Sequence, residues 1–417
     1  MPFIKVHWQL FCHQQRCIVF ILMGIYAFQV NAEPAKASIL IHAARIFDGF
    51  TLRTHSSLLV VGDTIRQIDR RENMQFQASK VIDLGDATLL PGFIELHAHL
   101  AFQHIPTDVI LKHGITTLRD VGGPVHPPYG GDGRLRVLSS GPIITTPTGY
   151  PISVMGADNI ALGVSSEQNA REAVQSLVNS GAVIIKIALE PGGEKGAHWS
   201  NGAHHMHTKS EKTHQQMLHE KKVWPLLSIP IVKAIVAEAH RLDRKVTAHI
   251  GEEKGAKIAI QAGVDEWAHM PCAEISVDLL KKALAQSVKI ITTLDSFSQC
   301  AGVEKNARKW AALGGEYLYG AEIAHTDTPW GIDAQELIYM LQFSHGQPID
   351  VLRSATSKSG EYLNIPLLGT LQSGAPADLI AVKGDPLQNL KILEYPGFVM
   401  SGGKIIVNDF TEGEPLP

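Results

Sequence analysis

The sequence predicts an α/β fold: a (β/α)8 TIM barrel carrying a small β-sandwich formed from both ends of the mature chain. Two observations predict it. Between about residues 88 and 327, short apolar runs alternate with helical patterns, the order expected of βα units repeated around a parallel sheet. On either side of that stretch the texture changes to brief β-type runs separated by Gly and Asp turns. The 417 residues suffice for two or three units at roughly 150 residues each. An apolar content of 45%, a charged content of 19% and a net charge of −4 exclude disordered, collagen-like and nucleic-acid-clamping classes. The composition has one oddity: 20 histidines, and imidazole is the commonest protein ligand for transition metals.

Residues 1–32 have the pattern of a signal peptide. They lack Asp and Glu, carry Lys5 and Arg16, run apolar from Cys17 to Val30, and offer Val30-Asn31-Ala32 as a cleavage site. That apolar run is 14 residues, against the ~20 a spanning helix needs; an uncleaved anchor is the alternative. Removal leaves 385 residues (417 − 32) and a net charge of −6, because the segment holds two cations and no anions. Of the cysteines, Cys272 and Cys300 stay, so at most one intrachain disulfide is expected. A secreted or periplasmic protein with no membrane association after signal removal is the expectation.

Residues 33–90 are expected to start the sandwich, with strands at Ser38–His42 and Ser57–Val61 punctuated by Gly49, Gly62 and Asp63. The barrel follows over 91–368. Its eight strands are expected at 88–99, 115–121, 142–146, 183–188, 246–250, 264–269, 288–293 and 320–327. One βα unit is especially clear: Ser166 caps a helix whose apolar face is Ala170, Ala173, Val174, Leu177 and Val178, Gly181 stops it, and Val183–Ala188 follows as a strand. Another runs from Ser228 through Val232, Ile235, Val236 and Ala239 into Val246–Ile250. Residues 369–417 return to β texture, with Ala377–Val382 and Lys404–Val407 flanking Gly384-Asp385-Pro386 and Gly402-Gly403.

Catalytic groups of such a barrel sit at the C-terminal ends of its strands, and the metal-competent side chains fall there. His97 and His99 close the first strand; residues i and i+2 of a strand point the same way and can share one ion. Lys186 lies in the apolar run Val183–Ala188, where burial favours the neutral amine. A neutral amine can add carbon dioxide and become a carbamate that bridges two divalent ions; a salt-bridged lysine at the rim is the alternative. His249 ends the fifth strand, His269 the sixth, and Asp327 the eighth. Singly, each histidine could be structural and Asp327 could cap a turn, but the six together ring one mouth.

The motif Pro91-Gly92-Phe93-Ile94-Glu95-Leu96-His97-Ala98-His99, together with Lys186, His249, His269 and Thr326-Asp327-Thr328, resembles the metal-dependent amidohydrolase superfamily in its imidazolonepropionase-like and prolidase-like branch. The resemblance covers about residues 38–410 and includes Gly369-Thr370-Leu371 and Gly374–Leu379 in the tail. It implies a binuclear or mononuclear hydrolytic site. His97 and His99 would hold the more buried metal, His249 and His269 the second, carboxylated Lys186 would bridge them, and Asp327 would complete the first site and shuttle the proton. Zinc is the first choice for such N/O ligands, with other divalent ions compatible.

Three residues depart from the family pattern. Glu95 stands where Asp is usual, Tyr150 follows Thr148-Gly149 where related dipeptidases often show Gly-Gly-His, and His325 occupies a position usually small. The long segment Leu189–Leu227 after the fourth strand carries His198, His204, His205, His207, His214 and His219, read as a polar lid, with a second metal site as the alternative. The expected partner is a small-molecule substrate, most plausibly a dipeptide or N-acyl amino acid cleaved at its C–N amide bond. Cyclic amides or lactams are the runner-up, and a non-catalytic metal-binding protein on the same fold is the other class. No nucleic-acid partner is expected, and a homo-oligomer stays open.

Overall fold

The structure is a computed structural model that describes residues 37–194, 196–197, 223–324 and 328–410. The expected signal peptide, the histidines from His198 to His219, and His325 and Asp327 lie outside the described residues.

The chain opens with β1 (Ser38–Phe47), β2 (Leu52–Val61), β3 (Thr64–Arg70), β4 (Lys80–Asp83) and β5 (Ala87–Pro91). Next come β6 (Phe93–Ala98), α1 (Leu100–Gln103), α2 (Thr107–Lys112), β7 (Ile115–Asp120), β8 (Arg136–Ser139), β9 (Ile143–Thr145), α3 (Ile152–Met155) and β10 (Ala161–Gly163). A regular helix-and-strand alternation follows: α4 (Glu167–Asn179), β11 (Ile184–Leu189), α5 (Ile229–Arg241), β12 (Lys245–Ile250), α6 (Glu253–Ala262), β13 (Glu266–Trp267), α7 (Val277–Ala285), β14 (Lys289–Ile291), α8 (Val303–Ala312) and β15 (Tyr317–Leu318). Helices α9 (Ala334–Ser344), α10 (Pro348–Ala355) and α11 (Ser357–Tyr362) lead to β16 (Leu379–Lys383), β17 (Phe398–Ser401) and β18 (Lys404–Asn408).

Strands from the two ends share one sheet, in the order β18-β17-β16-β5-β1-β2-β3, with β4 beside β1. The junction is β5 antiparallel to β16, Pro91 facing Leu379 and Ala87 facing Lys383. One contiguous apolar cluster covers it, including Ile41, Ile46, Leu58, Leu89, Ala381 and Phe398. The remaining strands are parallel. Seven run β10-β9-β11-β12-β13-β14-β15 and three run β6-β7-β8. Two groups of backbone bonds connect these sheets. Val183 N–H donates to Ser139 at 2.9 Å, and on the other side His99 N–H donates to Ile323 at 3.0 Å beside a parallel bridge between Ala98 and Ile323.

Local chemistry explains the elements. Ser166 accepts the Asn169 N–H at 3.1 Å and starts α4, whose buried face is Ala170, Ala173, Val174 and Leu177. Gly263, at φ +79°, ends α6 in the left-handed conformation that glycine adopts without steric penalty. The chain between those helices gives the fully buried strand Ile184–Leu189, with Lys186 as its only charged residue.

Several strand boundaries differ from those expected. The run 88–99 is two strands in different sheets, broken at Gly92, where a Cβ would lie 2.2 Å from the Thr116 side chain; the backbone passes too closely for any other residue. The sixth strand ends at Trp267, and His269 stands two residues beyond it. The eighth is Tyr317–Leu318, ahead of the expected 320–327, and beyond it the backbone turns left-handed at Glu322, φ +59°, interrupting regular strand geometry before the bridge at Ile323. Strands β8 and β10 were not among those expected. The Cys272–Cys300 disulfide joins the loop after β13 to the loop after β14. Among the described residues, no helix is long and apolar enough to cross a membrane.

Candidate metal centre

The C-terminal ends of the parallel strands bring five of the six expected residues together. His97 is in β6, and the chain leaves the strand with His99 on the same side: their Nε2 atoms are 3.2 Å apart. Lys186, in β11, places Nζ 3.5 Å from His97 Nε2. The His269 ring lies 4.3 Å from that of His97 and 4.7 Å from that of His249, centroid to centroid. All five are buried, at 4% exposure or less. The sixth, Asp327, is outside the described residues; the carboxylate that meets the pair is Glu322. One ligand atom each from His97, His99 and Glu322 lies within 4.8 Å of the others.

Hydrogen bonds set which face of each ring is presented. His97 Nδ1–H donates to the Ala268 carbonyl at 2.7 Å, leaving the Nε2 lone pair toward His99 and Lys186. His249 Nε2 bonds Glu190 Oε2 at 3.1 Å, which leaves Nδ1 as the ring's acceptor. His269 Nδ1 is 3.2 Å from Thr293 Oγ1, which fixes that ring in turn. Three of the four rings also lie against a Phe or Tyr: Phe102 stacks on His99 at 4.2 Å, Tyr150 is tilted on His249 at 4.9 Å, and Phe297 meets His269 edge-on at 4.7 Å.

Burial keeps these groups in the uncharged forms that bind metal. Burial, reinforced by the Lys186 charge, pushes His97 well below the usual imidazole range and His249 to about 3. Burial and then the neighbouring His97 do the same to His269. Lys186 is pushed down to about 7 by burial, against the charges of Glu322 and Glu266. Lys186 is 1% exposed, and among the described residues no carboxylate lies within ion-pair distance of it. Neutral imidazoles converging with a carboxylate are the donor set of a divalent transition ion, so the residues present fit a metal of that class.

Glu322 and Glu190 were not anticipated from sequence. Glu322 carries a signal in hindsight, as a charged residue in the run Tyr319-Gly320-Ala321-Glu322-Ile323-Ala324, whose other members are apolar or Gly. Its φ of +59° is rare for a residue other than Gly, Asn or Asp, and such backbone clusters at functional sites. A cavity of about 840 Å³ opens at the other ends of the strands, lined by Arg136, Ile184, Lys245 and Tyr362 among others, and none of His97, His99, His249 and His269 lines it.

The sequence pattern of the amidohydrolase family matches residues 88–406, and the chain belongs to that family. Over 193 residues it is 30% identical to ochratoxinase of Aspergillus niger, a stretch covering 42% of this chain and only 40% of that protein. Among solved structures, A. niger ochratoxinase is similar with a TM-score of 0.71 at 18% identity, over 90% of this chain and 97% of that one. An Xaa-Pro dipeptidase with bound methionine gives 0.69 at 22%, over 88% and 99%. A putative prolidase from Bifidobacterium longum gives 0.70 at 21%, over 89% and 95%. At these identities the structural likeness is one of fold.

Proposed function

We propose that the protein is a divalent-metal-dependent hydrolase that cleaves the C–N amide bond of a small molecule, a dipeptide or an N-acyl amino acid. The observation that carries this reading is the buried convergence of His97, His99 and Glu322 with Lys186, His249 and His269. His97, His99 and Glu322 would hold one ion; His249 and His269 a second, with zinc first among candidates and carboxylated Lys186 between the two. A divalent ion there supplies Lewis acidity and lowers the pKa of a water toward neutrality.

The chain's own groups supply the rest. Burial pushes Lys186 down to about 7, so about half of it is the neutral amine near pH 7, and that amine can form an N–C bond to carbon dioxide and release a proton, giving an anionic carbamate ligand. Glu322 accepts the proton of the attacking water as its oxygen bonds the carbonyl carbon, then delivers it to the amine nitrogen as the C–N bond breaks. Asp327 is the other carboxylate in the same stretch, and the two are separable by mutation. The Phe102, Tyr150 and Phe297 rings exclude water and favour an apolar group beside the scissile bond.

The same reading takes the parallel strands as a closed TIM barrel over 91–368, with 33–90 and 369–417 as its sandwich. It places the protein in the periplasm or outside the cell, supported by the Cys272–Cys300 disulfide, a bond that persists in oxidising compartments. The test is metal analysis of the purified chain with hydrolysis assays on dipeptides, N-acyl amino acids and lactams, before and after chelation. Bound divalent metal with chelator-sensitive amide cleavage is expected. Metal without turnover on any amide would favour a binding protein, and an absence of both would overturn the proposal.

A further inference from the structure

Glu95, fully buried in β6, has both carboxylate oxygens engaged by backbone donors, one in β6 itself and one in the segment that follows β15. Its Oε1 accepts the His97 N–H at 2.6 Å, and its Oε2 accepts the Ala321 N–H at 2.9 Å. The first donor belongs to a metal-site histidine and the second to the residue just before Glu322. The surrounding backbone is tight. A Cβ on Gly320 would stand 2.4 Å from Ile291 Cγ2, 3.1 Å from Glu95 Oε1 and 3.1 Å from the His97 Cβ. Immediately after, Glu322 takes its left-handed φ of +59°, a conformation that persists only where neighbouring groups over-determine it.

We propose that Glu95 is a positioning residue: a strut that sets the separation between the His97–His99 pair and Glu322 by gripping the backbone beside each. The inference rests on the reading that Glu322 is the carboxylate of the metal site. It gives a reason for glutamate where the family usually has aspartate, because the added methylene extends the reach of a β6 side chain across to the β15 side. Both oxygens are taken up by backbone donors, so Glu95 acts through the geometry of its neighbours. Aspartate at 95 is too short to keep both bonds. Glutamine keeps the length but sets an amide NH2 against one of the two N–H donors.

The test loads the chain with Co²⁺, whose visible absorption reports coordination geometry, and measures stoichiometry, affinity and spectrum. The set is wild type, Glu95→Asp, Glu95→Gln, Glu322→Gln, and Glu336→Gln as a control buried carboxylate that bonds the Asp295 N–H. Both Glu95 variants should bind Co²⁺ roughly 10–100-fold more weakly, the range for lost groups that orient metal ligands, with an altered spectrum. Glu336→Gln should move only the melting temperature. Wild-type affinity and spectrum in both Glu95 variants, alongside a weakened Glu322→Gln, would overturn the strut. Undiminished binding in Glu322→Gln would instead overturn the ligand assignment beneath it. If Glu95→Asp does not fold, Glu95→Gln alone decides by the same criteria.

Discussion

Replacing Glu266 by alanine removes the carboxylate that neutralises Arg119 between β7 and β13. Arg119 and Glu266 are 1% and 0% exposed and bond in a two-pronged way, Nη2 to Oε1 at 2.6 Å and Nη1 to Oε2 at 3.0 Å. The guanidinium would be left with its Nε bond to the Leu96 carbonyl, at 2.8 Å. Breaking one side of a buried pair costs about 3–5 kcal/mol, a large part of a typical total stability of roughly 5–15 kcal/mol. For a chain of this size, at roughly 2 °C per kcal/mol, the melting temperature should fall by about 6–10 °C. The assay is thermal unfolding followed by circular dichroism on metal-replete protein, in a cycle with Arg119→Met and the Arg119→Met/Glu266→Leu double variant. The double variant should be more stable than Glu266→Ala, because it leaves no unpaired charge in the interior. A fall below about 2 °C in Glu266→Ala, or a double variant at least as damaged as the sum of the singles, would refute the reasoning.

Other outcomes follow from the same physics. Glu336 is raised to about 8 by burial and then by Asp333, and Asp333 to about 7 by burial and then by Asp295. These two groups therefore hold more protons in the folded chain than in the unfolded one between roughly pH 4.5 and 8, and the stability they contribute should decline as pH rises through that window. Glu336→Gln should flatten the decline seen in melting temperature, and an unchanged slope would contradict the cause given. Losing the Cys272–Cys300 bond, which closes a loop of sequence separation 28, through paired alanine substitutions should cost about 3.6 kcal/mol in urea unfolding. Adding Zn²⁺ to chelated protein at 100 times its Kd should stabilise by about 2.7 kcal/mol, and His97→Ala should abolish that gain; a melting curve indifferent to metal would argue against the centre.

Much of the alternation of helix and strand was legible because periodicity and caps are local. Ser166, the apolar face of α4 and the strand after Gly181 fall where the pattern puts them. Strand edges were less legible, since pairing partners distant in sequence decide them: Gly92 separates two strands because Thr116 lies against it, and nothing in the run 88–99 reveals that contact. His97, His99, Lys186, His249 and His269 could be picked out because strand ends converge in a parallel sheet. Glu322 could not, because the left-handed backbone at that position has no signature in a lone glutamate; Asp327, the carboxylate the sequence points to, lies outside the described residues. Glu190 was hidden in the same way, as its role comes from His249, fifty-nine positions away.

The central claim is a metal ion held by the His97–His99 pair and Glu322. Anomalous X-ray scattering from metal-loaded crystals, collected on both sides of the zinc absorption edge, tests it most directly. The account predicts a peak roughly 2.0–2.2 Å from the two imidazole nitrogens and a Glu322 oxygen, and its disappearance in Glu322→Gln. A chain that binds zinc with its peak elsewhere, or with Glu322 turned away while Asp327 ligates the ion, would contradict it.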